Sequence, residues 1–151
     1  MDRGRDHGRT RADLLSAPAR AKYGLLDTSV LVAAEAGRAL RTEAFPETAS
    51  TSIITVGELR AGIHAAPDVE TRDRRIATYE LAIAGPVIPI DGAVANAWSQ
   101  MRTYLNASGR TVNVNDIWIA ATAASREIPV VTQDRDFFAL SGVAGLTVIE
   151  V

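Results

Sequence analysis

Short apolar runs alternate along the chain with longer segments in which apolar residues recur at helical spacing. Apolar runs bounded by Gly, Pro or polar residues predict buried strands, and the recurring pattern predicts amphipathic helices. The predicted strands cover residues 23–26, 51–54, 87–90, 129–132 and 146–149. The predicted helices cover residues around 31–34, 56–65, 68–84 and 116–127 and the segment between Asp91 and Gly109. This alternation predicts an α/β fold with a mainly parallel central sheet of about five strands, flanked by helices.

The first 21 residues lack this periodicity and carry glycine, proline and scattered charges. Residues 1–22 hold six basic and three acidic residues, whereas residues 23–151 hold ten and fifteen. We therefore expect a basic, flexible N-terminal tail at 1–21 and a single domain at 22–151. Within the tail, residues 12–17 could form a short helix. No stretch has the apolar core of a secretory signal or the roughly 18–20 apolar residues of a membrane span. A cytoplasmic protein with no membrane partner is expected.

Composition restricts the chemistry that this domain can perform. The 151 residues are 47% apolar and 23% charged, which is typical of a globular domain with a sizeable core. Cysteine is absent, which excludes disulfides, thiolate zinc sites, iron–sulfur clusters and a cysteine nucleophile. The two histidines, His7 and His64, are too few for a histidine-rich metal site. A catalytic metal would therefore bind mainly to carboxylates, which prefer Mg²⁺ or Mn²⁺.

Four acidic residues follow predicted strands or lie in the first turns of the next helices. They are Asp27, Glu58, Asp116 and Asp134. In a parallel sheet the carboxyl ends of the strands and the amino ends of the following helices share one edge, and ligands bind at that edge. The four carboxylates are therefore expected to converge.

Each of these acids also has a purely structural interpretation. Asp27 is a favoured residue for capping the next helix, and Asp116 suits the positive end of a helix. Thr55 and Glu58 fit a capping box, and Asp134 suits a turn. Such a cap is worth only about 1 kcal/mol. Taken singly, each acid favours the structural interpretation, whereas four acids at one edge of a cysteine-free domain favour a metal site.

The segments that carry the acids resemble the PIN-domain ribonucleases, and most closely the VapC-type toxins of bacterial toxin–antitoxin modules. The matching segments are LLDTSVL at 25–31, ITVGELRAG at 54–62, VNDIWIAATA at 114–123, PVVTQDRDF at 129–137 and GVAGLTVI at 142–149. A single segment of this kind would be weak support, but the ordered set is specific. The resemblance covers about residues 22–151.

The resemblance implies a PIN-like α/β domain whose acidic pocket holds Mg²⁺ or Mn²⁺. It also implies endoribonuclease activity, in which metal-activated water hydrolyses RNA, as the toxin of a VapBC-type toxin–antitoxin module. The implied catalytic and metal-binding residues are Asp27, Glu58, Asp116 and Asp134, with Asp136 as the alternative fourth acid. Thr28 and Thr132 match small polar positions beside the acids and are expected to hydrogen-bond them.

The implied partners are a cognate VapB-type antitoxin, an RNA substrate and a second copy of the chain in a homodimer.

Phosphodiester hydrolysis at this site needs a divalent cation, because carboxylates alone repel an anionic phosphate. Arg60 and Arg135 lie beside two of the acids in the sequence and are candidates for contacting phosphate.

Three other functions fit parts of the pattern. The main alternative is a non-catalytic PIN-like RNA- or protein-binding module, although such relatives tend to lose the acids that this chain retains. A receiver-type phosphoacceptor needs a lysine near a late strand, and Lys22 is the only lysine. A haloacid-dehalogenase-type phosphatase needs a second aspartate where this chain has Ser29.

Overall fold

A five-stranded sheet forms the centre of the computed structural model, which describes residues 20–151. The strands are β1 (Tyr23–Leu26), β2 (Thr48–Ser52), β3 (Val87–Ile88), β4 (Val130–Thr132) and β5 (Val148–Glu150). They lie in the order β3-β2-β1-β4-β5, and every neighbouring pair is parallel. The predicted α/β fold with a central parallel sheet is confirmed.

Helices cover both faces of this sheet. The α-helices of the described residues are α1 (Thr28–Glu35), α2 (Ile53–His64), α3 (Val69–Ala84), α4 (Gly92–Ser108) and α5 (Val114–Ser125). Three short 3₁₀ helices cover Thr42–Ala44, Arg135–Leu140 and Val143–Gly145. Because side chains of a strand alternate between its faces, Leu25 and Val130 pack with α4 and α5. Leu26 and Val131 face the opposite side and pack against Val30 of α1.

The helix between Asp91 and Gly109 forms as its pattern predicts. The Asp91 side chain caps α4 by accepting a hydrogen bond from the Val94 amide at 3.0 Å. Gly109 follows the last turn with a φ of +67°, a left-handed conformation that glycine adopts without strain. The buried face of α4 consists of Val94, Ala97, Met101 and Leu105.

The boundary between β2 and α2 differs from the prediction. β2 ends at Ser52, and its side chain caps α2 by accepting a hydrogen bond from the Thr55 amide at 3.1 Å. Ile53 and Ile54, which were predicted to end the strand, are therefore the first residues of the helix. The predicted capping box of Thr55 and Glu58 is wrong, because Thr55 already lies inside the helix.

Three other boundaries shift for local reasons. The helix α5 begins at Val114 rather than residue 116, because Asn113 caps it by accepting from the Asn115 amide at 2.9 Å. Strand β3 ends at Ile88, just before Pro89, which has no amide hydrogen to donate to a neighbouring strand. Residue 146, predicted to begin the last strand, closes a turn instead, and β5 starts at residue 148.

The tail predicted for residues 1–21, with its short helix at 12–17, lies outside the described residues except at its end. There the Arg20 guanidinium donates to the Pro46 carbonyl at 3.2 Å. The Glu47 amide donates to the Ala21 carbonyl at 2.9 Å. Among the helices of residues 20–151, none combines the length and apolar character needed to span a bilayer.

Candidate active site

The four predicted acids follow three adjacent strands or lie near the start of a helix. Asp27 comes directly after β1, Glu58 lies on α2 after β2, and Asp134 lies two residues beyond β4. Asp116 is the third residue of α5. Because β1 lies between β2 and β4 and all three run in the same direction, their carboxyl ends meet at one edge of the sheet.

The pKa of Asp116 depends on the charges of the other acids. Burial and the charges of neighbouring acids raise the pKa of Asp116 from its ordinary value of 3.8 to about 7. After burial, the charges that raise this pKa are, in decreasing order, those of Asp27, Asp134, Glu58 and Asp136. Without a bound cation, the repulsion favours a proton on Asp116.

Both Asp134 and Asp136 contribute to this cluster. Asp134 caps the 3₁₀ helix at Arg135–Leu140 by accepting a hydrogen bond from the Asp136 amide at 2.9 Å. The predicted turn-forming role of Asp134 is therefore present together with its place among the acids. We refer below to Asp27, Glu58, Asp116, Asp134 and Asp136 as the acidic cluster.

Asp27 is the most buried member of the acidic cluster, with only 2% of its surface exposed. Its Oδ2 accepts hydrogen bonds from the hydroxyls of Ser29 at 2.6 Å and Thr132 at 2.9 Å. Burial raises the pKa of Asp27 from its ordinary value, while these two hydrogen bonds lower it and offset part of the rise. Asp27 occupies the N-cap position of α1, but its side chain makes no capping hydrogen bond, so this structural interpretation does not explain it.

The hydroxyls of Ser29 and Thr132 also hold the loop that follows β4. Ser29 Oγ accepts from the Gln133 amide at 3.0 Å, and Thr132 Oγ1 accepts from the Asp134 amide at 2.8 Å. Each hydroxyl therefore joins Asp27 to the backbone that carries Asp134. The expected hydrogen bond from Thr132 is confirmed. Sequence reasoning missed the role of Ser29, although its position two residues after Asp27 is a local signal for it.

Glu58 is held by a hydroxyl from α1. Thr28 Oγ1 donates to Glu58 Oε1 at 2.8 Å, which confirms the expected role of Thr28. The same hydroxyl lies 3.0 Å from Thr55 Oγ1, a fully buried group that lies 3.3 Å from Ser52 Oγ. The Thr28 hydroxyl is closer to Glu58 than to Thr55. Because the Glu58 carboxylate is a charged acceptor, it receives the stronger hydrogen bond. The hydroxyls of Ser52 and Thr55 form a polar layer beneath Glu58 that the sequence pattern did not reveal.

We expect Thr132→Val to lower the free energy of unfolding by about 2 kcal/mol, because it removes a donor from buried Asp27 and an acceptor from the Asp134 amide. Chemical denaturation without metal measures this change. Thr132→Ser keeps the hydroxyl and should recover most of the loss. Thr122→Val is the matched control, since Thr122 is also fully buried but donates only to the Trp118 carbonyl of its own helix. An equal effect of Thr132→Val and Thr122→Val would contradict the role of Thr132.

The acidic cluster has the donor chemistry that a hard divalent cation requires. None of the three ion pairs formed within residues 20–151 includes a member of the cluster, so basic side chains do not neutralise it. The hydroxyls of Ser29 and Thr132 both donate to Oδ2 of Asp27, so Oδ1 of Asp27 has no hydroxyl partner among the described residues. In the same part of the chain, no three acidic or histidine side chains already surround one point as metal ligands would. Mg²⁺ suits such a cluster, because it retains several waters and uses only a few carboxylates directly.

The two predicted phosphate-binding arginines both have protein partners. Arg60 Nη1 donates to the Tyr79 hydroxyl at 3.3 Å, and its guanidinium lies 5.5 Å from the centre of the Tyr79 ring. Arg135 Nε lies 3.5 Å from Glu150 Oε2, although 82% of the Arg135 side chain is exposed. A role of either residue in contacting phosphate stays a prediction.

Comparison with known proteins identifies the family of this fold and acidic cluster. Residues 24–143 match the profile of the PIN domain. This chain belongs to the PIN-domain family. The family resemblance expected from the sequence segments is confirmed.

Relatives of this PIN domain include VapC proteins. It is 45% identical to Ribonuclease VapC5 of Mycobacterium tuberculosis over 128 residues, which cover 85% of this chain and 95% of that protein. It is 39% identical to Ribonuclease VapC4 of the same organism, over 84% of this chain and 98% of that one. These matches assign the PIN domain to the VapC type.

Solved structures agree with this assignment. A crystal structure of VapBC-5 from M. tuberculosis, a member of the VapBC family of toxin–antitoxin systems, matches with a TM-score of 0.80 and 42% identity. That match covers 86% of this chain and 99% of the other. The FitAcB crystal structure from Neisseria gonorrhoeae matches with a TM-score of 0.65 and 29% identity, over 83% of this chain and 96% of the other.

Proposed function

We propose that this VapC-type chain is an endoribonuclease, dependent on Mg²⁺ or Mn²⁺, that acts in the cytoplasm as the toxin of a VapBC-type module. The observation that carries the proposal is the acidic cluster, in which burial and the charges of the other acids raise the pKa of Asp116 to about 7. A protein gains nothing in stability by gathering like charges, so the cluster indicates a site built for a cation. The similarity to proteins named ribonucleases supports RNA as the substrate.

Asp27 and Asp116 are the residues we expect to hold the cation directly, with Glu58 and Asp134 binding it through water or orienting the attacking water. When bound, the cation supplies a water of lowered pKa and offsets the negative charge on the phosphate. Ser29 and Thr132 keep the Asp27 carboxylate in one orientation, and Thr28 does the same for Glu58. These fixed hydrogen bonds limit the reorganisation that the site needs during hydrolysis.

Incubation of total RNA with the purified protein, with Mg²⁺ and with EDTA, tests the activity. We expect new internal ends only with Mg²⁺, and sequencing of those ends identifies the cleaved sites. Asp73→Asn, which removes an exposed acid on α3 outside the cluster, is the control and should cleave normally. RNA that is bound but never cut would instead support the alternative of a non-catalytic RNA-binding module.

We further propose that a VapB-type antitoxin binds beside the acidic cluster. A groove of about 220 Å³ between α1, α2 and α3 includes Glu58 and Glu35 together with apolar Val32 and Leu59. Among the described residues, its one basic lining residue, Arg75, donates to a backbone carbonyl. Those features suit an apolar segment that ends in an arginine, because a guanidinium can pair with a carboxylate through two hydrogen bonds. Similarity to solved VapBC structures supports a partner of this kind.

We expect the product of the neighbouring gene to co-purify with this chain and to inhibit its cleavage of RNA. Val32→Asp should weaken that complex, because it adds a charge to the apolar part of the groove.

Light scattering on the protein alone tests the homodimer that the family resemblance implies. Expression without the antitoxin that causes neither growth arrest nor RNA cleavage would contradict the toxin function.

A further inference from the structure

A second concave surface adjoins the acidic cluster and shares no lining residue with the groove just described. It has a volume of about 510 Å³ and lies between the loop that joins α4 to α5 and the 3₁₀ helix at Arg135–Leu140. Its lining includes Arg110, Thr111, Arg135, Asp136 and Phe138. We call this surface the 110–138 cleft.

Each wall of the 110–138 cleft is close in the chain to a member of the acidic cluster. The loop ends at Asn113, the cap of α5, three residues before Asp116. The 3₁₀ helix on the other wall is capped by Asp134. Asp136 lines the cleft, and its charge helps to raise the pKa of Asp116. An RNA strand lying in the cleft would therefore pass beside the acidic cluster.

The cleft has both an aromatic and two basic side chains in its lining. Phe138 is 43% exposed, whereas the adjacent Phe137 is fully buried in the core. Arg110 is exposed and takes part in none of the ion pairs formed within residues 20–151. The Arg135 side chain is 82% exposed despite its contact with Glu150. The cleft thus presents one aromatic ring and two guanidinium groups to solvent.

We propose that the 110–138 cleft binds the single-stranded RNA that flanks the cleaved phosphate, with a base stacked on Phe138 and phosphates held by Arg110 and Arg135. This inference rests on the proposed function. An unmetallated acidic cluster repels the RNA backbone, so positive charge beside it is needed to hold the strand. Stacking on an exposed ring requires an unpaired base, because the faces of paired bases are covered by their neighbours.

The stacking contact is tested by fluorescence anisotropy with a 5′-labelled 12-nucleotide single-stranded RNA in Mg²⁺. The parent protein carries Asp116→Asn, so that cleavage does not remove the probe. We expect Phe138→Ala to raise Kd about 10-fold, and Phe138→Trp to preserve binding. Tyr104→Ala is the matched control, since Tyr104 on α4 is 42% exposed but lies outside the cleft. Affinity for a duplex of the same sequence should not change with Phe138→Ala.

The phosphate contacts are tested by repeating the titrations at several salt concentrations. For single strands, each phosphate contact contributes about 0.7 to the slope of log K against log salt, so Arg110→Gln should reduce that slope by about 0.7. Arg102→Gln, which removes an exposed arginine of α4 outside the cleft, should leave the slope unchanged. Circular dichroism establishes that each variant is folded.

Unchanged RNA affinity in Phe138→Ala and Arg110→Gln would overturn the inference. It would also be overturned if these variants weakened only the antitoxin complex or the homodimer. Cleavage by the unmutated protein is measured separately on the same RNA. Weaker binding by the cleft variants without any cleavage by the unmutated protein would contradict the proposed nuclease function, and the cleft would then stand only as an RNA-binding surface. Normal cleavage with unaffected binding would contradict the cleft assignment alone.

Discussion

Asp116→Asn should lower the rate of Mg²⁺-dependent RNA cleavage by about 100-fold or more, since loss of a group that merely supports a metal ligand already costs about 10- to 100-fold. Asn retains the size of Asp but replaces an anionic oxygen with a neutral amide oxygen, which binds Mg²⁺ poorly. Single-turnover cleavage of a mapped RNA site measures the rate. The folded structure should survive, because Asn113 rather than Asp116 caps α5.

Two further measurements separate a catalytic role of Asp116 from a structural one. Mn²⁺ should raise the melting temperature of the unmutated protein, and Asp116→Asn should reduce that rise, because a ligand that binds only the folded state stabilises it. Asp73→Asn is the charge-matched control and should behave like the unmutated protein in both assays. An Asp116→Asn protein that cleaves RNA at the normal rate would eliminate Asp116 as a catalytic residue.

Without metal, the free energy of unfolding should fall as the pH rises from about 4 to about 7 and then level off. The pKa of Asp116 is about 7 in the folded protein and close to 3.8 in the unfolded chain. Between these values the folded state retains a proton that the unfolded state has released, so each rise in pH favours unfolding. The fall ends above about pH 7, where Asp116 is ionised in both states. The full shift would exceed 4 kcal/mol, but water screens a half-buried carboxylate, so we expect about 2 kcal/mol.

Comparison with Asp116→Asn isolates this effect. The variant cannot titrate at residue 116, so it should be about 2 kcal/mol more stable than the unmutated protein at pH 8, with the two converging below about pH 4. Burial raises the pKa of Asp27, which acts in the same direction in both proteins. The lowered pKa values of Asp68 and Asp91 affect stability only at more acidic pH. Stability curves that stay parallel from pH 4 to pH 7 would contradict the raised pKa of Asp116.

Local pattern was sufficient for much of the fold. The four-residue run at 23–26 is β1 as predicted, and α4 has both its predicted cap at Asp91 and its glycine end at Gly109. Such features depend on near neighbours in the chain, namely side-chain period, a cap three residues from its partner and a left-handed glycine. The positions of Asp27, Glu58, Asp116 and Asp134 followed from the same pattern and the rule for strand ends.

The contacts that make these acids a site were decided only by the tertiary structure. Ile53 and Ile54 fit a strand or a buried helix equally well, and the Ser52 cap decided for the helix that carries Glu58. Thr132 reaches Asp27 across 105 positions of sequence, a pairing that no local period encodes. Burial next to four other acids, rather than anything in its own segment, raises the pKa of Asp116. Sequence periodicity determines which face of an element is buried, whereas charge and hydrogen bonding at the site depend on residues that only the folded chain brings together.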